Sequence, residues 1–169
     1  MTQRISLRDY QRELAERLRL ADSARSASKL GLQVGTQSWL VDLVDAGEVL
    51  PVPPLTPVPL TQAWFRGVAN VRGNLYSVVD FAAFVGAGAC AGGAEARLLI
   101  LGERFRSGAA LLVDRSLGLR NPAELRAREP APDGGGWLRA EYDDDVGVRW
   151  RELDVGALVR DGLFLSVAS

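Results

Sequence analysis

Few side chains of this chain could carry out covalent or metal chemistry. The 169 residues include no His, and Cys90 and Lys29 are the single Cys and the single Lys. Without His, neither Ser-His-Asp nor Cys-His catalysis nor a His-ligated metal is possible. A lone Cys excludes an internal disulfide and a CxxC motif, and one Lys leaves little room for a Walker-type phosphate site. The composition therefore predicts that the chain is not an enzyme and binds no cofactor or metal.

Two motifs have the residue types of a ligand site without its sequence context. Gly86-Ala87-Gly88-Ala89-Cys90-Ala91 satisfies G-x-G-x-x-[GA]. The residues after it lack the apolar spacing of the helix whose N-terminus would hold a phosphate, so we interpret it as a flexible loop with Cys90 as a plain thiol. Asp143-Asp144-Asp145 could supply oxygens to a hard cation. Three consecutive carboxylates between two strands do not converge, however, so we interpret them as an acidic hairpin tip.

A third group of residues mixes aromatic and guanidinium side chains. Trp64, Phe65 and Arg66 are followed closely by Arg72, and these residue types are enriched at the hot spots of protein interfaces. The same side chains could stack single-stranded bases. Both aromatic rings could equally belong to the core, and composition does not separate these three interpretations.

The first element expected along the chain is an amphipathic helix over residues 7–22. The apolar residues that recur at spacings of three and four on one face are Leu7, Tyr10, Leu14, Leu18 and Ala21. We expect this face to dock on the rest of the chain, with a partner helix as the alternative. Residues 23–29 are expected to be a short linker, so that residues 1–29 precede a domain formed by residues 30–169.

The rest of the chain alternates short β-type runs with turn residues. Hairpins are predicted around Gly35-Thr36-Gln37 and Arg72-Gly73-Asn74, because Gly and Asn tolerate the positive φ of tight turns. The prolines of residues 51–59 cannot donate to a ladder, so this segment is expected to be an edge or a loop. Residues 120–136 are expected to be a loop, and residues 163–167 a closing strand. Many short strands with frequent turns predict a barrel or a sandwich.

Charge and hydropathy restrict the possible partners. The net charge of −1 offers no global electrostatic argument for nucleic acid. Residues 1–30 carry seven basic and four acidic side chains, and residues 133–154 carry three basic and seven acidic ones. We interpret this asymmetry as solvated faces, or as a means of orienting a partner. The N-terminus lacks the apolar run of a signal peptide, and the longest uncharged stretch is too short to span a bilayer. These features predict a cytoplasmic protein without direct membrane insertion.

The central part of the chain resembles the CheW-like domain family. The matching residues are Glu48-Val49-Leu50, Val52-Pro53, the run WFRGVANVRGNL from Trp64 to Leu75, and Val78-Val79-Asp80. The family form is an E-I/V-L step, a V-P step, a G-V-x-N-x-R-G turn and a strand that ends in V-x-D. The A-N-V-R-G-N-L variant is most similar to the branch of the family that serves twitching motility through type IV pili.

The resemblance implies a mainly β fold of two interlocked, five-stranded, SH3-like barrels, here with an added N-terminal amphipathic helix. It implies a non-catalytic adaptor between the cytoplasmic tip of a methyl-accepting chemotaxis receptor and the regulatory domain of a CheA-type histidine kinase, at membrane-associated receptor arrays. Arg72 matches the arginine of the family's receptor-binding face, and the signature and hot-spot positions together predict the partner-binding residues Glu48, Trp64, Phe65, Arg66, Asn70, Arg72 and Gly73. The alternative is a β-barrel module that binds single-stranded nucleic acid.

Overall fold

The computed structural model describes residues 7–129 and 135–169, and strands dominate the described part of the chain. The helices are α1 (Leu7–Ala27), α2 (Phe81–Phe84), α3 (Val155–Leu158) and α4 (Gly162–Leu165). The strands are β1 (Lys29–Val34), β2 (Gln37–Asp42), β3 (Ala46–Pro51), β4 (Leu55–Thr56), β5 (Phe65–Val71), β6 (Asn74–Asp80), β7 (Arg97–Leu101), β8 (Ala109–Val113), β9 (Arg115–Arg120), β10 (Arg126–Arg128), β11 (Leu138–Asp143) and β12 (Arg149–Leu153). Within these residues, no helix combines the length and the apolar character needed to cross a membrane.

The strands form two six-stranded sheets, and each sheet defines a lobe. The first lobe has the strand order β10-β11-β12-β2-β1-β9, and the second has the order β3-β7-β8-β6-β5-β4. The chain therefore starts in the first lobe, builds the whole second lobe, and returns to complete the first. This exchange interlocks the lobes. Each sheet has six strands where the resemblance implied five. The additional strands, β4 and β10, are short and lie at the sheet edges.

Each sheet must curl, because its two edge strands are consecutive in the chain. The edges of the second sheet, β3 and β4, are joined by residues 52–54 alone. In a flat six-stranded sheet the outer strands would lie about 24 Å apart, whereas so short a connection spans at most about 14 Å. The prolines predicted to be at an edge lie at this corner, where the missing N–H breaks no ladder.

The two lobes share one hydrophobic core. β1 and β2 contribute side chains that pack with the inward-facing residues of β6, β7 and β8 and with α2 and α3, and the buried members include Leu32, Val34, Trp39, Val79, Phe81, Leu99, Leu111, Val155 and Leu158. Alternate residues of the second sheet point to its other face and form a smaller cluster that includes Val71, Val78, Leu98, Ala110 and Leu112. Strand β8 is buried on both faces.

The N-terminal helix differs from the prediction in its length and its environment. α1 continues to Ala27, so the predicted linker is mostly helical and Ser28 alone separates α1 from β1. Every residue of α1 from Tyr10 to Leu20 is exposed. The prediction that the apolar face of α1 docks on the rest of the chain is therefore wrong, since the two curled sheets bury their core without it.

The chain ends in a helix where a strand was predicted. Asp161 caps α4, and its carboxylate accepts hydrogen bonds from the amides of Leu163 and Phe164. Because such a cap satisfies the free amides of a first turn, it favours helix over strand. The strand predicted over residues 163–167 is thus wrong, although Ala168 forms a single β-bridge with Thr61 that returns the chain to the second lobe.

Candidate partner-binding surface

The turn between β5 and β6 holds a charged side chain in a fixed position. Arg72 and Gly73 have φ values of 53° and 87°, and two successive positive φ values are typical of the tight hairpin turn that matches strand twist. The Asn70 side-chain oxygen accepts a hydrogen bond of 2.9 Å from the Gly73 amide. Asn70 and Gly73 therefore shape the turn, and Arg72 is the residue that the turn presents.

Arg72 forms a two-pronged ion pair with Glu48 of β3. Arg72 Nη1 donates to Glu48 Oε2 and Arg72 Nη2 to Glu48 Oε1, both at 2.6 Å. These hydrogen bonds hold the pKa of Glu48 below its ordinary value. Both groups remain accessible, with side-chain exposures of 73% for Arg72 and 36% for Glu48. An exposed pair adds little stability, but the paired geometry orients both groups for contact with another molecule.

A shallow groove of about 270 Å³ lies beside this pair. Val71, Ile100 and Leu101 supply apolar lining, and Tyr76 and Glu103 supply polar groups. We call Glu48, Asn70, Arg72 and Gly73 with this groove the hairpin-tip surface. Its mixture of fixed charges and apolar lining is suited to contact with a protein side chain.

Arg66 lies far from the hairpin-tip surface and has a different partner. Arg66 lies on β5, six residues before Arg72 of the turn, and six residues correspond to about 20 Å along a strand. Arg66 Nη1 donates to Asp80 Oδ2 at 3.2 Å. Asp80 is buried, caps α2 through the Ala83 amide, and accepts the Cys90 amide at 3.1 Å. Arg66 is thus tied to the base of the hairpin, and the structure does not bring it together with Arg72.

Trp64 and Phe65 contribute to the core. Trp64 is 8% exposed, and its ring meets Phe84 edge to face with 5.3 Å between centroids. Phe65 is partly buried against the same shared core. The prediction that the Trp64 ring contacts a partner is therefore corrected, since a buried ring offers a partner almost no surface. The same burial withdraws Trp64 from the residues that the nucleic-acid alternative needs for stacking, namely Trp64 and Phe65 beside Arg66 and Arg72.

The acidic tip and the glycine-rich loop use their polar groups internally. Asp144 accepts hydrogen bonds from the Trp150 indole and two turn amides, which hold the pKa of Asp144 below its ordinary value. In the loop, the Cys90 amide donates to Asp80 and the Ala91 amide to Asp114, so carboxylates take amides that a phosphate would need. Burial raises the pKa of the Cys90 thiol. Among the described residues, no group of three or more acidic or Cys side chains is arranged to hold a metal.

A network of charges inside the first lobe is absent from the sequence-based expectations. Lys29 donates to Asp42 at 2.7 Å and to Glu152 at 2.9 Å. Arg139 reaches the same two carboxylates and Asp154. Burial lowers the pKa of Lys29, but hydrogen bonds and charges from Asp42 and Glu152 outweigh that effect and leave the pKa raised. The partners lie up to 123 residues apart, so no local pattern predicts the network, which joins β1, β2, β11 and β12.

The whole two-lobed unit corresponds to a known type of domain. The CheW-like domain family model matches residues 29–162, which include β1 to β12 and the hairpin-tip surface. The chain belongs to this family, and the resemblance expected from the sequence is confirmed.

Three relatives show how far the similarity extends. Protein PilI of Pseudomonas aeruginosa is 31% identical over 100 residues, which cover 59% of this chain and 56% of PilI. Chemotaxis protein CheW of Rhizobium meliloti is 35% identical over 57 residues, or 34% of this chain and 37% of that protein. The chain thus matches about half the length of the first and less of the second. The crystal structure of the scaffolding protein TtCheW from Thermoanaerobacter tengcongensis has a TM-score of 0.66 at 14% identity, covering 84% of this chain and 97% of TtCheW. That likeness confirms the mainly β fold.

Proposed function

We propose that the chain is a non-catalytic adaptor that couples methyl-accepting chemoreceptors to a CheA-type histidine kinase, in the pathway that controls twitching by type IV pili. The observation that carries the proposal is the exposed, two-pronged Arg72–Glu48 pair at the signature turn of a CheW-like domain. The similarity to PilI supports the pilus branch of the proposal. Such an adaptor would act at receptor arrays on the cytoplasmic side of the membrane.

The hairpin-tip surface has the properties that receptor contact requires. Glu48 holds the Arg72 guanidinium in one orientation before binding, so less side-chain freedom is lost on contact. A receptor carboxylate could share the guanidinium while a neighbouring receptor side chain enters the groove beside Tyr76 and Glu103. A surface of this size suits a weak, transient contact, and an array would strengthen it through multivalency.

The first experiment compares receptor binding by two charge-reversal variants. Arg72→Glu should weaken capture of a purified receptor cytoplasmic fragment by at least about tenfold. Arg128→Glu is the matched control, because Arg128 also forms an exposed pair with a carboxylate, Asp143, but in the first lobe. The melting temperatures of both variants should be close to that of the unaltered chain. Equal receptor binding by the Arg72 and Arg128 variants would contradict the assignment of the hairpin-tip surface.

Coupling to the kinase and output through pili need separate measurements. The chain, the receptor fragment and a CheA-type kinase should co-elute as a ternary complex, whereas the receptor and the kinase without the chain should not. Deletion of the gene should abolish twitching, and Arg128→Glu should restore it while Arg72→Glu should not. Normal twitching in the deletion strain would refute the pilus branch and leave the adaptor proposal to the binding experiment.

A further inference from the structure

The N-terminal helix exposes an apolar stripe and lies outside residues 29–162, which the CheW-like family model matches. Tyr10, Leu14 and Leu18 follow one another at intervals of four residues on α1, and they are 59%, 47% and 58% exposed. At about 1.5 Å per residue, the 21 residues of α1 form a rod about 32 Å long. A helix with such a stripe normally buries it against another element.

The charges beside the stripe indicate what covers it. Glu13 and Arg17 are 2.7 Å apart and lie on the same flank of the stripe. At the same level, the other flank carries the uncharged residues Gln11 and Ala15. When two copies of a helix pack antiparallel, the same flank of one copy faces the same flank of the other. Glu13 of each copy would then approach Arg17 of the other copy, which gives two such contacts. When they pack parallel, opposite flanks meet, and the charged pair would face Gln11 and Ala15.

We propose that two copies of this chain associate through α1, with the stripes of Tyr10, Leu14 and Leu18 packed antiparallel. The self-complementary flank of Glu13 and Arg17 commits the stripe to a second copy. Because Ser28 alone separates α1 from β1, each helix end carries its own pair of lobes. The associated pair would offer two hairpin-tip surfaces at once, which increases avidity toward a multivalent partner. A single helix pair is smaller than a standard interface, so the association should be weak.

Sedimentation velocity on the full chain over a series of concentrations tests the association. The double variant Leu14→Gln/Leu18→Gln removes the stripe and retains good helix formers. The matched control is Arg12→Gln/Glu16→Gln, which places the same residue at the same spacing on the opposite face of α1, at positions that are also exposed, and leaves the net charge unchanged. The stripe variant should lose at least about tenfold in association constant, and the control should match the unaltered chain. A chain that stays monomeric to about 1 mM overturns the proposal, as does equal association by the two variants.

Charge reversal tests the antiparallel arrangement. Glu13→Arg and Arg17→Glu should each weaken self-association, and an equimolar mixture of the two variants should restore it, because arginine flanks then meet glutamate flanks. A parallel pair would be insensitive to both changes and would overturn the antiparallel arrangement. Vesicles of phosphatidylcholine with phosphatidylserine test a lipid surface as the occupant. Stripe-dependent vesicle binding by a chain that does not self-associate would refute the proposal.

Discussion

Loss of the Asp80 carboxylate should destabilise the chain more than its position at the end of a strand suggests. Asp80→Ala removes the cap of α2, which costs about 1 kcal/mol. It also leaves the buried Cys90 amide without an acceptor, which costs about 1–3 kcal/mol. The ion pair with Arg66 adds about 0–1 kcal/mol, because Arg66 is 44% exposed and solvent screens it. The expected loss in free energy of unfolding is therefore about 2–5 kcal/mol.

Urea unfolding, followed by tryptophan fluorescence and far-ultraviolet circular dichroism, measures this loss. Fluorescence is informative here because Trp64 contacts Phe84 of the helix that Asp80 caps. Asp80→Asn keeps an acceptor oxygen and should cost only about 1 kcal/mol, and Arg66→Ala should cost less than about 1 kcal/mol. A loss below about 1 kcal/mol for Asp80→Ala, or equal losses for the Ala and Asn variants, would refute the reasoning.

Two further predictions concern the charge network of the first lobe. Lys29→Met leaves Glu152, whose side chain is 3% exposed, with Arg139 as its remaining cationic partner, and it should cost about 2–4 kcal/mol in urea unfolding. A cost below about 1 kcal/mol would show that Arg139 compensates for the lost charge. Burial raises the pKa of Asp42, but Lys29 and Arg139 outweigh it, so the pKa lies below the ordinary 3.8. The contribution of Asp42 is therefore complete above about pH 4 and lost as the pH falls through the lower folded-state pKa. The free energy of unfolding should decrease as the pH falls through that window, and it should decrease less steeply for Asp42→Asn than for the unaltered chain. Equal pH dependence of the two would contradict the role given to the Asp42 carboxylate.

Local turn chemistry accounts for the parts of the fold that could be predicted. The hairpin at Arg72-Gly73 depends on residues that are neighbours in sequence. The proline-rich edge was predictable for the same reason, since proline removes a donor wherever it lies. The end of the chain is helical and not the predicted strand, because the capping residue Asp161 determines the conformation of the apolar run from Leu163.

Long-range pairing accounts for what could not be predicted. Arg66 and Arg72 look equivalent in sequence, but Arg66 pairs with Asp80 and Arg72 with Glu48, 24 residues away. The local turn signal places Arg72 at the hairpin tip, but the carboxylate that each arginine meets depends on which parts of the folded chain lie beside it. The same limit applies to α1, since periodicity predicts an apolar face without showing whether the rest of the chain covers it.

The β5–β6 hairpin separates the residues that stabilise the fold from those that we propose to meet a partner. At its base, the Asp80 amide donates to the Trp64 carbonyl at 2.8 Å, and the Asp80 carboxylate holds Arg66 and the loop at Cys90. At its tip, Arg72 is exposed, and its contact with Glu48 adds little to stability. Because base and tip lie about 20 Å apart along the strands, substitutions at the two ends should act independently. A rigid base therefore lets the tip vary at little cost to the fold, which suits the adaptor function proposed above.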